Sequence, residues 1–395
     1  MQKLTFITKE PKKAGGACCG TVTTTDSTCS GDTARNILSC PSASRNAPRW
    51  ITGAVPTPAG AVPQITAEWK FEDRWGMIKS RTGAYRMRYT VAPGLYALGE
   101  PGKDSDIFVS ANYKLSFDIL RRALTGHHAW VLVLDTKSIN VWCAAGKGTF
   151  GTDELVKRIT EARLDAIVGH RRLIVPQLGA VGVKAGAVQK RTGFRVSFGP
   201  VEARDLPAYI RAGYKKTQTM STMRFTLLDR LVLTPMEINP AMKKFPWFAA
   251  AVLLIFGLQP SGFLFRPAWT NGLPFLLFGL VSVFAGAFVT PVLLPWVPGR
   301  SFAVKGWIMG MLSVLLVHQL AGMPVQGGAF GLAAVYLFFP AVSSYIALQF
   351  TGSTTFTGMS GVKKELKYGV PAYIAAASVS LSLTVVLKLR EWGIV

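Results

Sequence analysis

Cys143 stands in the stretch Asn140-Val141-Trp142-Cys143-Ala144-Ala145-Gly146-Lys147-Gly148. A cysteine thiolate is a soft donor, suited to a transition metal. The stretch follows the apolar run Ala129–Leu134 and Asp135, so it falls at the carboxyl end of an expected strand. Trp142, large and flat, precedes the thiol. Ala144, Ala145 and Gly146 follow it, small enough to let something broad lie against the backbone. Lys147, or a helix N-terminus formed here, is expected to lower the thiol pKa. The competing reading makes Cys143 a small buried hydrophobe, and Trp142 likewise serves as a core aromatic or as the wall of a pocket. Spacing alone leaves both open. Gly146-Lys147-Gly148 is not a phosphate loop, because the Gly-x-x-x-x-Gly-Lys-Ser/Thr pattern is missing.

The other four of the five cysteines, Cys18, Cys19, Cys29 and Cys40, lie in the first forty residues. Their spacing matches no zinc or iron–sulfur pattern. They read as solvated tail residues or as a thiol relay for a soft metal. An odd count without a secretory leader argues against a disulfide scaffold. The opening MQKLTFITKEPKKAGG lacks an apolar core, so the front of the chain is expected to be cytoplasmic and reduced.

These residues need a frame. Residues 1–62 are rich in Gly, Ser, Thr, Ala and Pro, without helical or strand periodicity, and read as a disordered lead-in. Residues 63–242 alternate β-rich runs with amphipathic stretches, the pattern of an α/β domain with a mainly parallel, Rossmann-like sheet. The expected strands are 86–91, 106–109, 129–134, 172–175 and 194–198. The expected helices are 113–124, 153–167, 182–192 and 206–212, with Thr152 as the N-cap of the second. Ligands of such sheets sit outside the carboxyl ends of the strands.

Residues 243–395 change character. The whole chain is 49% hydrophobic and only 16% charged, and nearly all its long apolar runs follow Lys244. Five stretches of membrane-spanning length fall near 247–265, 273–296, 302–320, 328–350 and 369–389, predicting an all-α transmembrane bundle. Lys243, Lys244, Arg300, Lys305, Lys363, Lys364 and Lys367 gather on one side, against Arg266 alone on the other. The positive-inside rule then places the soluble domain in the cytoplasm and the C-terminus outside a bacterial or archaeal cytoplasmic membrane. Gly306/Gly310 and Gly327/Gly331 have the small-residue spacing that lets helices approach closely. His318, near the end of its span, reads as interfacial. The spans hold no acidic residue of the kind an ion-coupled carrier uses. The net charge of +23 suits attraction to an anionic leaflet. No nucleic-acid-binding module accompanies it.

The cysteine stretch, extended as NVWCAAGKGTFGTDEL, resembles the signature of the mercury-methylating corrinoid proteins. The resemblance continues through residues 75–99, SANYKLSFDILRRAL at 110–124, VPQLGAVGV at 175–183 and RTGFRVSFGPVEARDLPAYI at 191–210, then five spans. It does not cover 1–62. It implies a cobalamin-type corrinoid held base-off, with the Cys143 thiolate as lower axial ligand on cobalt and catalytic residue. A methyl group would pass from methylcobalt to Hg(II), forming methylmercury. It also implies a ferredoxin-like iron–sulfur partner as electron donor and possible mercury donor, and a methyltetrahydrofolate-type methyl donor. The Asp-x-His-x-x-Gly motif that supplies histidine to cobalt is absent, in keeping with cysteine ligation. The expected corrinoid contacts are residues 140–147, joined by Asn112, Tyr113, Gln177, Gly179, Gly199 and Pro200 at strand ends, where a turn residue would serve as well.

Two other classes fit some of these features. One is a corrinoid methyl carrier for a one-carbon, acetyl-CoA-type pathway. The other is a membrane transporter with a cytoplasmic sensing domain.

Overall fold

The computed structural model describes residues 48–320, 322, 325–354 and 356–394. The four N-terminal cysteines lie outside the described residues.

The first elements arise inside the stretch expected to be a structureless lead-in. Strand β1 (Ile51–Thr57) and strand β2 (Gly60–Ile65) form an antiparallel hairpin. Alternating Val, Ile and Thr around the Pro58-Ala59-Gly60 turn supply the strand pattern. Helix α1 (Phe71–Thr82) follows, with Glu72 and Asp73 in its first turn where they suit the positive end of the helix dipole.

The expected strand at 86–91 is absent. Residues 84–87 form a 3₁₀ turn, and only Thr90 bridges to Tyr113. The strand comes later, as β3 (Gly94–Leu98), after Pro93 ends the irregular run. Next come β4 (Ile107–Ala111), α2 (Lys114–Ala123) and β5 (Ala129–Leu134), then α3 (Val141–Lys147), α4 (Thr152–Glu161) and α5 (Leu164–Ile167). They are followed by β6 (Arg172–Val175), α6 (Ala185–Thr192), β7 (Arg195–Phe198) and α7 (Leu206–Arg211). The single helix expected over 153–167 is thus two, broken where Arg163 takes φ 46°. Gly151, not Thr152, is the N-cap of α4. The Thr152 hydroxyl instead accepts the Lys184 N–H at 2.9 Å, tying α4 to the approach to α6.

The seven strands run in the order β1-β2-β3-β5-β4-β6-β7. β5, β4, β6 and β7 are mutually parallel, and β3 is antiparallel to β5. Every residue of β4 and β5 is buried, as expected of strands covered on both faces. One face packs Leu155, Ile159, Leu164 and Val188 from α4–α6. The other packs Phe117, Leu120, Leu206 and Tyr209 from α2 and α7. The chain leaves β4 toward β5, then returns across it to β6, so β4 and β6 flank the point where strand order reverses. They pair at one position only, Phe108 opposite Ile174, and beyond it their carboxyl ends part.

A buried ion cluster joins α1 to α2. The Lys114 ammonium lies 2.9 Å from Asp73 and 2.6 Å from Asp118, and Arg121 lies 2.7 Å and 2.8 Å from the same two carboxylates. Arg121 also donates to the carbonyls of Thr66 and Glu68, each at 2.7 Å. Two cations face two anions, so the cluster is neutral, and Arg121 Nη1 is satisfied by the two backbone carbonyls.

Helix α8 (Leu227–Leu233) leads into α9 (Pro235–Gly257). Hairpin strands β8 (Leu258–Gln259) and β9 (Gly262–Phe263) separate it from α10 (Phe265–Phe284), which runs through a π-helical turn into α11 (Thr290–Val292). Then come α12 (Phe302–Leu320), α13 (Gly328–Gln349) and α14 (Met359–Glu391). Among the described residues, four helical stretches are long and apolar enough to cross a membrane: 265–292, 302–320, 328–353 and 360–391. The expected first span, 247–265, is instead the apolar end of α9 plus the hairpin. The preceding turns of α9 carry Glu237, Lys243 and Lys244, which dilute its hydrophobicity. Gly306 and Gly310 do allow close packing: a Cβ there would lie 2.5 Å from Ala347 and 2.6 Å from Ser343 of α13. Gly327 caps α13 in the left-handed region, at φ 85°, and is also a close approach: a Cβ there would lie 2.1 Å from the Leu387 side chain of α14.

Candidate functional site

The site is built from the carboxyl ends of β5, β4, β6 and β7. After β5 the chain must turn sharply to begin α3, and Lys137 and Ser138 both take positive φ. That turn is held from the neighbouring strand. Asn112, just past β4 and buried, accepts the N–H groups of Thr136 at 3.0 Å and Ser138 at 3.1 Å through Oδ1. The Thr136 hydroxyl sits 2.8 Å from the same oxygen. A buried amide with several partners defines one geometry.

Asn140 is the N-cap of α3, and its Oδ1 accepts the Cys143 N–H at 3.0 Å. This is the usual role of asparagine at that position. At the far end Gly148 takes φ 82°, and its N–H closes the helix onto Ala144 and Ala145; only glycine adopts that conformation without strain. Ala144 and Ala145 are buried in the sheet core. Their smallness lets the helix sit down on the sheet and does not make room for a ligand on its outer side. A Cβ on Gly182 would lie 2.1 Å from the Phe150 carbonyl and 3.2 Å from the Ala145 Cα. Gly146 and Lys147 are exposed, with Lys147 at the helix C-terminus, where a cation is favoured.

The Cys143 side chain is half-buried and opens into a cavity of about 470 Å³. Tyr113, Asn140, Trp142 and Leu178 line one side. Met223, Phe225, Leu228 and Met236 come from the segment that leads into the apolar helices, with Gly352 and Ser353 beside them. A second cavity of about 250 Å³ lies at the carboxyl ends of β4, β6 and β7, lined by Ser110, Pro176, Gly199 and Pro200. The two share Asn140, Trp142 and Leu178 as walls. Together they follow the crevice where strand order reverses, the usual ligand position of open α/β sheets.

Of the residues singled out from the sequence, Tyr113, Asn140, Trp142 and Cys143 meet in the larger space. Asn140, Val141, Trp142, Gly199 and Pro200 meet in the smaller one. Asn112 acts behind the site through the turn. Gly179 is pressed against Phe150, where a Cβ would come within 2.5 Å of the ring. Gln177 borders neither cavity; its side chain accepts from Lys216 at 2.5 Å.

Arg81 and Arg86 also line the larger cavity. The Arg86 guanidinium lies 6.0 Å from the centre of the Tyr113 ring and donates to the Met236 sulfur at 3.6 Å. The motif YRMRY at 85–89 was visible in the sequence, but reading it as strand hid that Arg86 turns inward. Electrostatics at the thiol also differ from expectation. Burial pushes the Cys143 thiol above its ordinary value, over the opposing pull of Arg86, Lys147 and the Asn140 hydrogen bond. The expected lowering by Lys147 is present but loses to desolvation.

Comparison with known proteins places this same region. Residues 82–210 match the family described as CO dehydrogenase/acetyl-CoA synthase delta subunit. The acetyl-CoA decarbonylase/synthase complex subunit gamma of Archaeoglobus fulgidus is 30% identical over 126 residues, which are 31% of this chain and 26% of that protein. The corrinoid/iron-sulfur protein large subunit of Moorella thermoacetica is 29% identical over 120 residues, 30% of this chain and 26% of that protein. The chain thus spans about a quarter of the length of these relatives. The family match holds the cysteine helix, the Asn112 turn and the strand ends that frame both cavities. The apolar helices lie outside it.

Proposed function

We propose that the α/β domain binds a corrinoid with the Cys143 thiolate as lower axial ligand, and that the protein is a membrane-anchored carrier and transferase of methyl groups. The observation that carries this reading is the place of Cys143. It is a half-buried thiol at the carboxyl end of β5, opening into a cavity inside residues 82–210, which match the CO dehydrogenase/acetyl-CoA synthase delta subunit family.

The residues suit the group. A soft sulfur donor is aimed into the space, Trp142 and Tyr113 give it flat walls, and the second cavity behind Trp142 extends it along the strand ends. When bound, a corrinoid would supply a cobalt-held methyl group, and the Cys143 thiolate would donate electron density to that cobalt more strongly than water or imidazole does. The chain's own part is to present that sulfur. Asn140 fixes the first turn of α3, and Arg86 and Lys147 favour the ionised thiol. Asn112 holds the turn that aims the helix.

The names of the relatives favour methyl carriage in a one-carbon, acetyl-CoA-type pathway. The resemblance of Asn140–Gly148 to the mercury-methylating proteins favours Hg(II) as acceptor. A thiolate donor supports that finer reading, because an electrophilic metal ion takes methyl as a carbanion equivalent. A ferredoxin-like electron donor and a methyltetrahydrofolate-type methyl donor belong to the same proposal. So does a cytoplasmic face for the α/β domain, supported by the basic residues on that side of the apolar helices.

The test is the absorption spectrum of the full chain reconstituted with methylcorrinoid, followed by challenge with Hg(II). A thiolate-type spectrum, lost in Cys143→Ala, supports the ligation, and identical spectra overturn it. Methylmercury formation then assigns Hg(II). Methyl transfer only to an acetyl-CoA-synthase-type acceptor assigns the carrier reading.

A further inference from the structure

The largest of these spaces lies among the apolar helices, away from Cys143. It is a groove of about 960 Å³ between α12, α13 and α14. Its deep walls are apolar: Trp307 and Met311 from α12, Ala333 and Leu337 from α13, and the small Ala372 and Ala376 from α14. Its mouth is different. Arg300 and Lys364 stand there, both exposed, and neither forms an ion pair among the described residues. The acidic residue at the mouth, Glu365, is already engaged, accepting the Ser301 hydroxyl at 2.7 Å and the Ala303 N–H at 2.8 Å. It therefore caps the start of α12, and against the two cations it leaves the mouth with an excess of positive charge.

From Gly361 at the mouth to Ala376 at depth, the groove follows α14 for roughly 22 Å at 1.5 Å per residue. That is somewhat more than one leaflet of a bilayer core, itself about 15 Å deep, which leaves room at the mouth for a headgroup. The helix α14 is only 6% buried over its most apolar window, so the groove opens sideways toward whatever surrounds the bundle.

We propose that this groove is a binding site for an anionic phospholipid. The phosphate sits between Arg300 and Lys364, and an acyl chain lies along Trp307, Leu337 and Ala376. Net positive charge at the mouth selects an anionic headgroup, and apolar depth of leaflet length selects a chain. A second protein copy would need its own carboxylates at this level to satisfy the same two cations.

The experiment is native mass spectrometry of the full chain in detergent, with phosphatidylglycerol or phosphatidylcholine of identical acyl chains added. The expected result is retention of phosphatidylglycerol over phosphatidylcholine. Retention should fall roughly thirtyfold in an Arg300→Ala/Lys364→Ala double variant, at the usual worth of two basic residues beside an anionic surface. Ala372→Leu, which fills the depth and leaves the charges in place, should also weaken retention. Equal retention of the two lipids by the unaltered protein would overturn the proposal without any variant. So would displacement by inorganic phosphate alone, or a lipid-free dimer held through this face.

Discussion

The Asn112 side-chain oxygen receives the Thr136 N–H at 3.0 Å, so the end of one strand sets the turn that launches the cysteine helix from the next. Replacing Asn112 with Ala leaves the buried Thr136 N–H without its partner, and each such loss costs about 1–3 kcal/mol. Asn112→Ala should therefore lower the melting temperature and broaden or shift the corrinoid spectrum, even though Asn112 borders neither cavity. An unchanged spectrum at full occupancy would show that the turn does not aim the thiol.

Cys143 is half-buried on the cavity side of α3, so Cys143→Ala should melt within about 1 kcal/mol of the original, as small swaps outside the deep core do. Its methyl transfer to Hg(II) should vanish. Cys143→His should retain a weaker activity, because imidazole donates less than thiolate. Full methyl transfer by the Ala variant would remove cysteine from the mechanism.

Gly182 has no room for a side chain. In Gly182→Ala the new methyl group meets the Phe150 carbonyl and the Ala145 backbone, and overpacking of this kind costs about 1–3 kcal/mol. Relief requires α3 to lift from the sheet, so thermal stability and corrinoid affinity should fall together. A loss of stability with unchanged affinity would separate the packing from the site.

The ion cluster gives a pH signature. Burial pushes the Asp73 carboxyl up, but hydrogen bonds and charges from Arg121 and Lys114 outweigh it and hold it below the ordinary carboxylate value. A carboxylate with a depressed folded pKa contributes stability that is fully present above its unfolded value, about 3.9. That stability is lost as pH falls through the lower folded value. Denaturant midpoints should therefore drop on acidification below about pH 4, and Asp73→Asn should flatten that dependence. Lys114→Met, which leaves Arg121 alone against two buried carboxylates and so one negative charge uncompensated, should cost about 3–5 kcal/mol at neutral pH.

Much of this protein was legible in order along the chain. The alternation of β-rich runs with amphipathic helices predicted β4 to β7 nearly to the residue, most sharply at β5, where a strand buried on both faces is continuously apolar. The runs after Lys244 predicted helices long enough to span a membrane, since hydrophobic length is a local property. Cys143 was visible through the unusual company it keeps. Other features depended on distant partners. The hairpin at 51–65 looked featureless because its alternation is short and interrupted by proline, and its place at the sheet edge is set by pairing of Gln64 and Ile65 with β3. Arg86 looked like part of a strand until α1 and Tyr113 drew the segment into a 3₁₀ turn. The thiol's charge state was misjudged for the same reason. Lys147 is adjacent in sequence, but desolvation is set by everything that surrounds the sulfur. Sequence determined which residues could do chemistry and which face of each element is apolar, because periodicity and side-chain type are local. Only the tertiary structure decided that strands β4 and β6 part beyond Phe108, that Asn112 rather than a neighbour aims the cysteine helix, and that residues eighty positions beyond Cys143 face its thiol.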